Sequence, residues 1–359
     1  MKRIVLTGGG TAGHVTPNIA LLPSLKKYGY EVFYIGTENG IEKQLIEKEG
    51  IKYFSIKAGK LRRYVDIKNL TDTIKISQGF FQALSILNKI KPQIIFSKGG
   101  FVSSPVVWAA WIKRIPVVLH ESDITPGLAN KISIPFANNI CYSFPETIKY
   151  LPKTKSILTG IPVRENLFNG NKSFGRRLCS FNIEKPIMLI IGGSLGSKIL
   201  NNIIRDSLEI LLQDYQICHI CGKGNTDLSL RNLQGYKQFE YVSDELHHLF
   251  AMADLIISRA GATTLYEILA LNKPNILIPL SRQASRGDQI LNAASYKKQG
   301  FSNVILEEEL SSESLEREIK KVYSNRDNYI LNMSTSGISD GIKEVIKVIE
   351  DNVNNLNRL

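Results

Sequence analysis

The 359-residue sequence predicts an α/β fold of two doubly wound halves, each a parallel sheet with helices on both faces. Three observations predict it. Apolar runs of strand length alternate with amphipathic stretches of helical length, the spacing of successive βαβ units. Two of those runs, RIVLTGGG at 3–10 and PIMLIIGGSLG at 186–196, open into glycine-rich turns that lead into helical pattern. The length is more than twice the ~150 residues of a typical domain, which favours two domains.

The elements follow in order. Residues 3–10 read as a buried strand, and 16–28 as a helix with Pro17 in its first turn, where a missing N–H costs nothing. A strand at 31–36, a helix at 41–49, a strand at 52–56, a long helix near 66–89 and a strand at 93–100 come next. A helix near 105–113 leads to a strand at 116–122, a short helix after Pro126, and strand-like segments at 139–143 and 156–161. The pattern lapses over 161–185, which reads as a linker. The expected domains are therefore 1–163 and 164–339, with 340–359 as a closing helix. In the second half a strand and turn at 186–196 precede a helix at 197–212, and QICHICGKG, ADLIISRAGA and NILIPLS read as further strand–turn units. Helical spacing returns over 340–352, and the last residues, NVNNLNRL, look frayed.

Composition narrows the class. With 43% hydrophobic and 22% charged residues, disordered and fibrous chains fall away. No apolar run approaches the ~18 residues of a spanning helix, and the start MKRIVLTGGG is too short in apolar residues for a signal-peptide core. Four cysteines without such a signal suggest reduced thiols in a cytoplasm. The net charge of +12 sits in one half: residues 1–163 hold 22 Lys and Arg against 10 Asp and Glu, and residues 164–359 hold 23 against 23. A basic half joined to a neutral one points to an anionic surface met by the N-terminal part, nucleic acid or lipid.

The first turn, Gly8-Gly9-Gly10-Thr11-Ala12-Gly13-His14, has the G-x-G-x-x-G spacing that brings backbone N–H groups to a phosphate at a helix N-terminus. A dinucleotide-binding half would end its second strand in a carboxylate for the ribose. Here that strand ends Tyr34-Ile35-Gly36, with Glu38 only beyond it, so an NAD-dependent oxidoreductase is poorly supported. His14 sets an imidazole where a general base is useful near neutral pH, against the plainer alternative of capping or sheet packing. The second turn, Gly192-Gly193-Ser194-Leu195-Gly196, suits a diphosphate in the same way, or is simply a tight connection. In Ser258–Glu267 a strand ends in small residues and a helix begins with two threonines and carries Glu267, a carboxylate that can accept from ribose hydroxyls. Gly287-Asp288-Gln289 offers side chains to sugar hydroxyls. Cys218 and Cys221 have C-x-x-C spacing but lie in a predicted strand with no second ligand pair, so a buried strand is favoured over zinc. His247 and His248 are adjacent on a helix, where side chains face apart, and read as surface and core.

Taken in order, GGGTAGH, HESDITPGLANK, GGSLGS, SRAGATTLYE and SRGDQILNA resemble the MurG family, the transferases that make lipid II for bacterial peptidoglycan. The likeness spans nearly the whole chain. It implies the GT-B fold, two Rossmann-like domains facing a central cleft. It also implies inverting, metal-independent transfer of GlcNAc from UDP-GlcNAc to the muramyl C4 hydroxyl of lipid I, with no cofactor. Residue by residue, Thr11, Ala12 and Gly13 would form the first cleft loop, and His14 would be the base for the acceptor hydroxyl. Ser194 would meet the donor diphosphate with Arg164 nearby. Ala262, Thr263, Thr264, Leu265, Tyr266 and Glu267 would hold ribose and phosphate, Gln289 the GlcNAc hydroxyls, and Val242 the uracil edge. Many members have HEQN where this chain has His120-Glu121-Ser122-Asp123, so the sugar contact falls to Asp123 or is taken over by Asn130. The chain also lacks Asp-x-Asp, the usual metal-holding pair of nucleotide-sugar enzymes.

The resemblance turns the basic half towards the cytoplasmic face of a bacterial membrane rather than nucleic acid. Phe80, Phe81, Leu84 and Leu87 fall on one face of the long helix, and Trp108 and Trp111 lie in the next. Lys57, Lys60, Arg62, Arg63, Lys113 and Arg114 supply charge, a combination suited to shallow docking on anionic lipid. The plainer alternative is core aromatics and a solvated charged face. Two further functions are a related transferase with another lipid acceptor and a non-catalytic nucleotide-sugar scaffold.

Overall fold

A computed structural model describes residues 2–59, 68–182, 184–193, 196–283, 285, 287–337 and 340–356. It divides the chain into two compact units, Met1–Arg164 with Ile338–Leu359, and Glu165–Gly337. In the first unit β1 (Lys2–Thr7), β2 (Tyr30–Gly36), β3 (Lys52–Ser55), β4 (Ile94–Ser97), β5 (Val117–Glu121), β6 (Asn139–Tyr142) and β7 (Ser156–Leu158) form one parallel sheet. The intervening helices are α1 (Ala12–Lys27), α2 (Ile41–Lys48), α3 (Lys68–Ile90), α4 (Ser103–Ile112) and α5 (Leu128–Ser133). The strand order is β3-β2-β1-β4-β5-β6-β7. The winding therefore reverses between β1 and β4, where Thr7 pairs with Ser97. Loops leaving those two strand ends diverge and open a crevice, the usual ligand position in such sheets.

The second unit repeats the plan. Helix α6 (Lys172–Cys179) precedes β8 (Ile187–Ile191), α7 (Lys198–Asp206), α8 (Leu208–Asp214), β9 (Gln216–Ile220), β10 (Tyr236–Phe239), α9 (Leu246–Met252) and β11 (Leu255–Ser258). Then come α10 (Ala262–Ala270), β12 (Asn275–Leu277), α11 (Asp288–Lys298), β13 (Asn303–Val304), α12 (Ser312–Ser324) and α13 (Arg326–Ser334). The order β10-β9-β8-β11-β12-β13 reverses between β8 and β11, where Ile191 pairs with Ser258. The chain ends in α14 (Gly341–Leu356), which packs on the first unit.

Alternation along the strands builds a core on each face of the first sheet. Ile4 and Leu6 meet Leu21 and Leu25 of α1 and Val345 and Ile349 of α14, while Val5 and Ile95 face Leu87 of α3 and Val106 of α4. Both faces are covered, which is why the strands read as continuous apolar runs.

Four boundaries differ from the sequence expectation. Helix α1 begins at Ala12, so Pro17 lies in its second turn and supplies no N–H to the Gly13 carbonyl. The stretch expected as a linker holds a 3-10 turn at Glu165–Asn169 and helix α6, whose first turn is capped by the Asn171 side chain. The expected helix at 197–212 is two, because Ser207 turns its hydroxyl back onto the Ile203 carbonyl at 2.7 Å. Helix α14 runs past Asn352 to Leu356, so the described part of the segment expected to fray is helical, and 357–359 lie outside the described residues. Val353 is buried there, and the Asn352 amide donates to Asn139 Oδ1 at 2.8 Å.

Candidate active site

At the first reversal point the β1–α1 turn is pressed against the β4–α4 turn. Gly10, Gly99 and Gly100 have φ of +92°, +86° and +85°, and a Cβ on Gly100 would overlap the Gly9 carbonyl, so glycine is required by both conformation and space. From α2 the buried Glu42 carboxylate accepts from Gly10 N–H at 3.3 Å and from Thr37 N–H at 3.1 Å, bracing the turn from behind. Thr11 is the exposed N-cap of α1 and makes no side-chain cap, and the first helical turn carries no acidic residue. The positive end of this 16-residue helix therefore carries no carboxylate of its own first turn, and Glu42 approaches it from behind through Gly10. His14 stands in that turn, half-buried, with Nδ1 3.1 Å from the Lys98 carbonyl.

Beneath the turn lies a buried polar cluster built from the ends of β4 and β5. The Lys98 amine reaches His120 Nδ1 at 2.8 Å and the Ser122 hydroxyl, and His120 Nε2 meets the Gly160 carbonyl at 2.8 Å. Burial lowers the Lys98 amine to about 8 and, with that neighbouring amine, holds His120 well below its usual range, hence neutral. His120 therefore donates from Nε2 and accepts at Nδ1. The Glu121 carboxylate accepts from Asp123 N–H and Gly127 N–H, each at 3.0 Å, and from Asn130 Nδ2 at 2.8 Å. Burial and the Asp123 charge nevertheless push the Glu121 carboxyl upward. Asn130 also donates to the His120 carbonyl at 3.2 Å, so its amide nitrogen is committed to the strand end.

In the second unit the β8–α7 turn leaves the sheet through Gly192 and Gly193. Gly196 has φ +73°, and a Cβ there would overlap the Cys221 carbonyl. Ser197 caps α7 by accepting from Leu200 N–H at 3.3 Å, and Arg259, at the end of β11, donates to the same hydroxyl at 2.5 Å. The buried Arg259 guanidinium also donates to the Ile278 carbonyl at 3.1 Å and pairs with Glu307. Burial alone would raise the Glu307 carboxyl, but hydrogen bonds from Arg259 and Ser281 N–H outweigh it and hold it below the usual range. One ion pair thus ties together the start of α7, the ends of β11 and β12 and the segment after β13. Helix α10 starts at Ala262 with neither a side-chain cap nor an acidic first turn. Its N-terminus follows directly on β11 and so lies at the reversal point.

The structure sorts the residues singled out from sequence into these two sets. Thr11, Ala12, Gly13 and His14 lie at the first reversal point, with Asp123 and Asn130 behind the next strand end. Arg164 closes the first unit. Ala262, Thr263, Thr264, Leu265, Tyr266 and Glu267 fill the first turns of α10, where Glu267 is only 6% exposed. Val242 is buried in the loop between β10 and α9. Gln289 opens α11 and accepts Leu280 N–H at 3.1 Å with its side-chain oxygen, which leaves its NH2 for other partners. Ser194, Lys60, Arg62 and Arg63 lie outside the described residues.

Some readings change. Leu87 is core, Phe80 and Leu84 are partly buried against it, and Phe81, 67% exposed, is the residue of that face that stands fully in solvent. Trp108 donates to the Ile132 carbonyl, while Trp111 is exposed and packs edge-on against Phe136. The His247 and His248 rings do not face apart. Their centroids are 3.8 Å apart, because His248 turns to accept Asn171 N–H at the start of α6. Cys218 and Cys221 are buried in and beside β9, and burial pushes the Cys221 thiol up to about 11. Sequence reasoning missed Glu42, Lys98 and the Arg259–Glu307 pair. For Lys98 the one signal is a cation between the apolar IIFS run and two glycines. Among the described residues no group of three or more His, Cys, Asp and Glu side chains is arranged to hold a metal ion. No described helix is long and apolar enough to cross a membrane.

The sequence that forms these two units matches the family models for glycosyltransferase family 28. The N-terminal domain model covers residues 4–142 and the C-terminal domain model residues 187–349. The class is thus a two-domain glycosyltransferase. The chain is 57% identical over 349 residues to the UDP-N-acetylglucosamine–N-acetylmuramyl-(pentapeptide) pyrophosphoryl-undecaprenol N-acetylglucosamine transferase of Clostridium tetani, covering 97% of this chain and 98% of that protein. It is also 57% identical over 350 residues to a Clostridium botulinum protein of the same name, covering 98% and 99%. The crystal structure of Acinetobacter baumannii MurG superposes with a TM-score of 0.77 at 25% identity, covering 98% of this chain and 100% of that one. The chain belongs to the MurG family of glycosyltransferases.

Proposed function

We propose that this protein transfers GlcNAc from UDP-GlcNAc to the C4 hydroxyl of the MurNAc unit of undecaprenyl-diphosphate-linked lipid I, giving lipid II. The observation that carries this is the 57% identity, over 97% of the chain, with a transferase whose name states that donor and acceptor. In the proposed step His14 Nε2 takes the proton of the C4 hydroxyl as that oxygen attacks C1 of GlcNAc. The bond from C1 to the diphosphate oxygen breaks on the opposite face, so the anomeric centre inverts and UDP leaves with the electron pair. The N-terminus of α10 and the backbone at Gly192, Gly193 and Gly196 supply N–H groups for the leaving diphosphate. Glu267 takes the ribose hydroxyls, Gln289 the GlcNAc hydroxyls, Val242 the uracil edge, and Ser194 and Arg164 the diphosphate. On the acceptor side Thr11, Ala12, Gly13 and Asp123 line the approach to His14.

The test is UDP release from UDP-GlcNAc with and without a short-chain lipid I analogue, in EDTA, for wild type and folded His14→Ala. Acceptor-dependent release that survives EDTA and falls about 10²–10⁴-fold in the variant is the expected result for loss of a general base. Release that the variant keeps would remove His14 as base. No release with lipid I, while UDP-GlcNAc still binds, would favour another acceptor or a scaffold.

The protein also docks, in this proposal, on the anionic cytoplasmic leaflet through the first unit. Supporting this, Ile74 and Phe81 of α3 and Trp111 and Ile112 of the neighbouring α4 are exposed apolar side chains, beside exposed Lys75, Lys113 and Arg114. Each basic residue near such a surface adds about 1 kcal/mol.

A further inference from the structure

Lys98 commits three groups at the first reversal point. Its N–H donates to the Thr7 carbonyl at 2.9 Å, a ladder bond any residue would make. Its carbonyl faces His14 Nδ1 at 3.1 Å, and its amine spans to His120 Nδ1 and Ser122 at the end of β5. Gly99 and Gly100 follow immediately, both with positive φ, and the N–H of the 98–99 peptide makes a long 3.4 Å hydrogen bond to the Ser97 hydroxyl, so the local backbone restrains its rotation weakly. The stronger tether is the side chain. Only 1% of Lys98 is exposed, and a Cβ on Gly8 would come within 3.1 Å of Lys98 Cβ, so the lysine stem is packed directly under the turn that carries His14. A buried cation is costly to keep, and the turn needs none for its own conformation.

We propose that Lys98 is the positioning residue for His14. Its amine, anchored on His120 and Ser122, fixes the 98–99 peptide so that the Lys98 carbonyl accepts the His14 Nδ1–H and leaves Nε2 as the basic nitrogen. A neutral imidazole has two tautomers, and the partner of one nitrogen decides which is populated. This inference rests on the reading of His14 as the base, but its first readout does not.

The test is Lys98→Met, which keeps the stem and removes the donors. In ¹⁵N-labelled protein, long-range ¹H–¹⁵N spectra resolve the His14 ring, identified by its disappearance in His14→Gln. Wild type should show the Nδ1–H tautomer. Lys98→Met should show both tautomers, with kcat reduced about fivefold, the worth of one hydrogen bond, and KM for UDP-GlcNAc unchanged. An unchanged His14 tautomer in folded Lys98→Met would overturn the proposal, since a lysine that only satisfies His120 and Ser122 would alter stability alone. Should that variant not fold, Ser122→Ala removes one of the two anchors and must shift the same signal, and no shift there would equally overturn it. A shifted tautomer beside a fully active His14→Gln enzyme would refute the base and leave the positioning of the ring standing.

Discussion

Replacing Glu307 by alanine strips the paired carboxylate from a guanidinium whose side chain is 8% exposed. Arg259 would keep the Ser197 hydroxyl and the Ile278 carbonyl, but its charge would be buried without a counter-ion, and Ser281 N–H would lose its acceptor. Breaking one side of a buried pair costs roughly 3–5 kcal/mol, and the surviving acceptors place this case near about 3. For a unit of this size that is a fall of roughly 6–12 °C in the unfolding transition. Calorimetry reads it directly, with the transition raised by UDP assigned to the second unit. Because the same guanidinium holds the cap of α7, UDP affinity should also fall, by about tenfold if one charge-assisted hydrogen bond of orientation is lost. Replacing the pair as Arg259→Met with Glu307→Leu should recover most of the stability and none of the affinity. A Glu307→Ala transition within about 1 °C of wild type, with unchanged UDP affinity, would refute a structural role for the pair (an exposed pair gives that result).

Three further outcomes are expected. His219 is buried between Tyr236 and Asn201, and burial lowers it to about 3; the unfolded chain binds its proton from about 6.5 downward while the folded chain does not. Stability should therefore fall on acidification between those values by about 1.4 kcal/mol per pH unit, a slope that His219→Gln removes in urea titrations at pH 7, 6 and 5. Ile349 of α14 is fully buried in the core of the first unit, so Ile349→Ala should cost about 3 kcal/mol in the transition that UDP does not raise. Phe81→Ser with Trp111→Ser should reduce co-sedimentation with phosphatidylglycerol vesicles while leaving UDP binding intact, and equal sedimentation would count against docking through α3 and α4.

Much of this was legible in the sequence because its causes are local. Strands buried on both faces must be apolar throughout, so β1, β4, β8 and β11 stand out, and the glycine-rich segments follow the strand ends where the winding reverses. The start of α1 was hidden by Pro17, since a proline in a second turn is tolerated only where surrounding packing compensates it. Helix α6 was hidden because it is short and mostly polar, and its cap residue Asn171 has its other partner, His248, 77 positions away. The pairing of Arg259 with Glu307 joins residues 48 apart, and that of Lys98 with His120 and Ser122 joins two strand ends. No periodicity carries such contacts. Whether an aromatic face points inward is equally non-local, as the division between Leu87 and Phe81 on one helix shows.

The most direct measurement is the identity of the product. Purified protein, UDP-GlcNAc and a short-chain lipid I analogue are incubated, and the lipid is examined by mass and by the anomeric coupling of any added sugar. The predicted product carries one added N-acetylhexosamine, β-linked to C4 of MurNAc, with one UDP released for each. An unmodified lipid beside intact binding of UDP-GlcNAc, or an α-linked sugar, would contradict inverting transfer to lipid I.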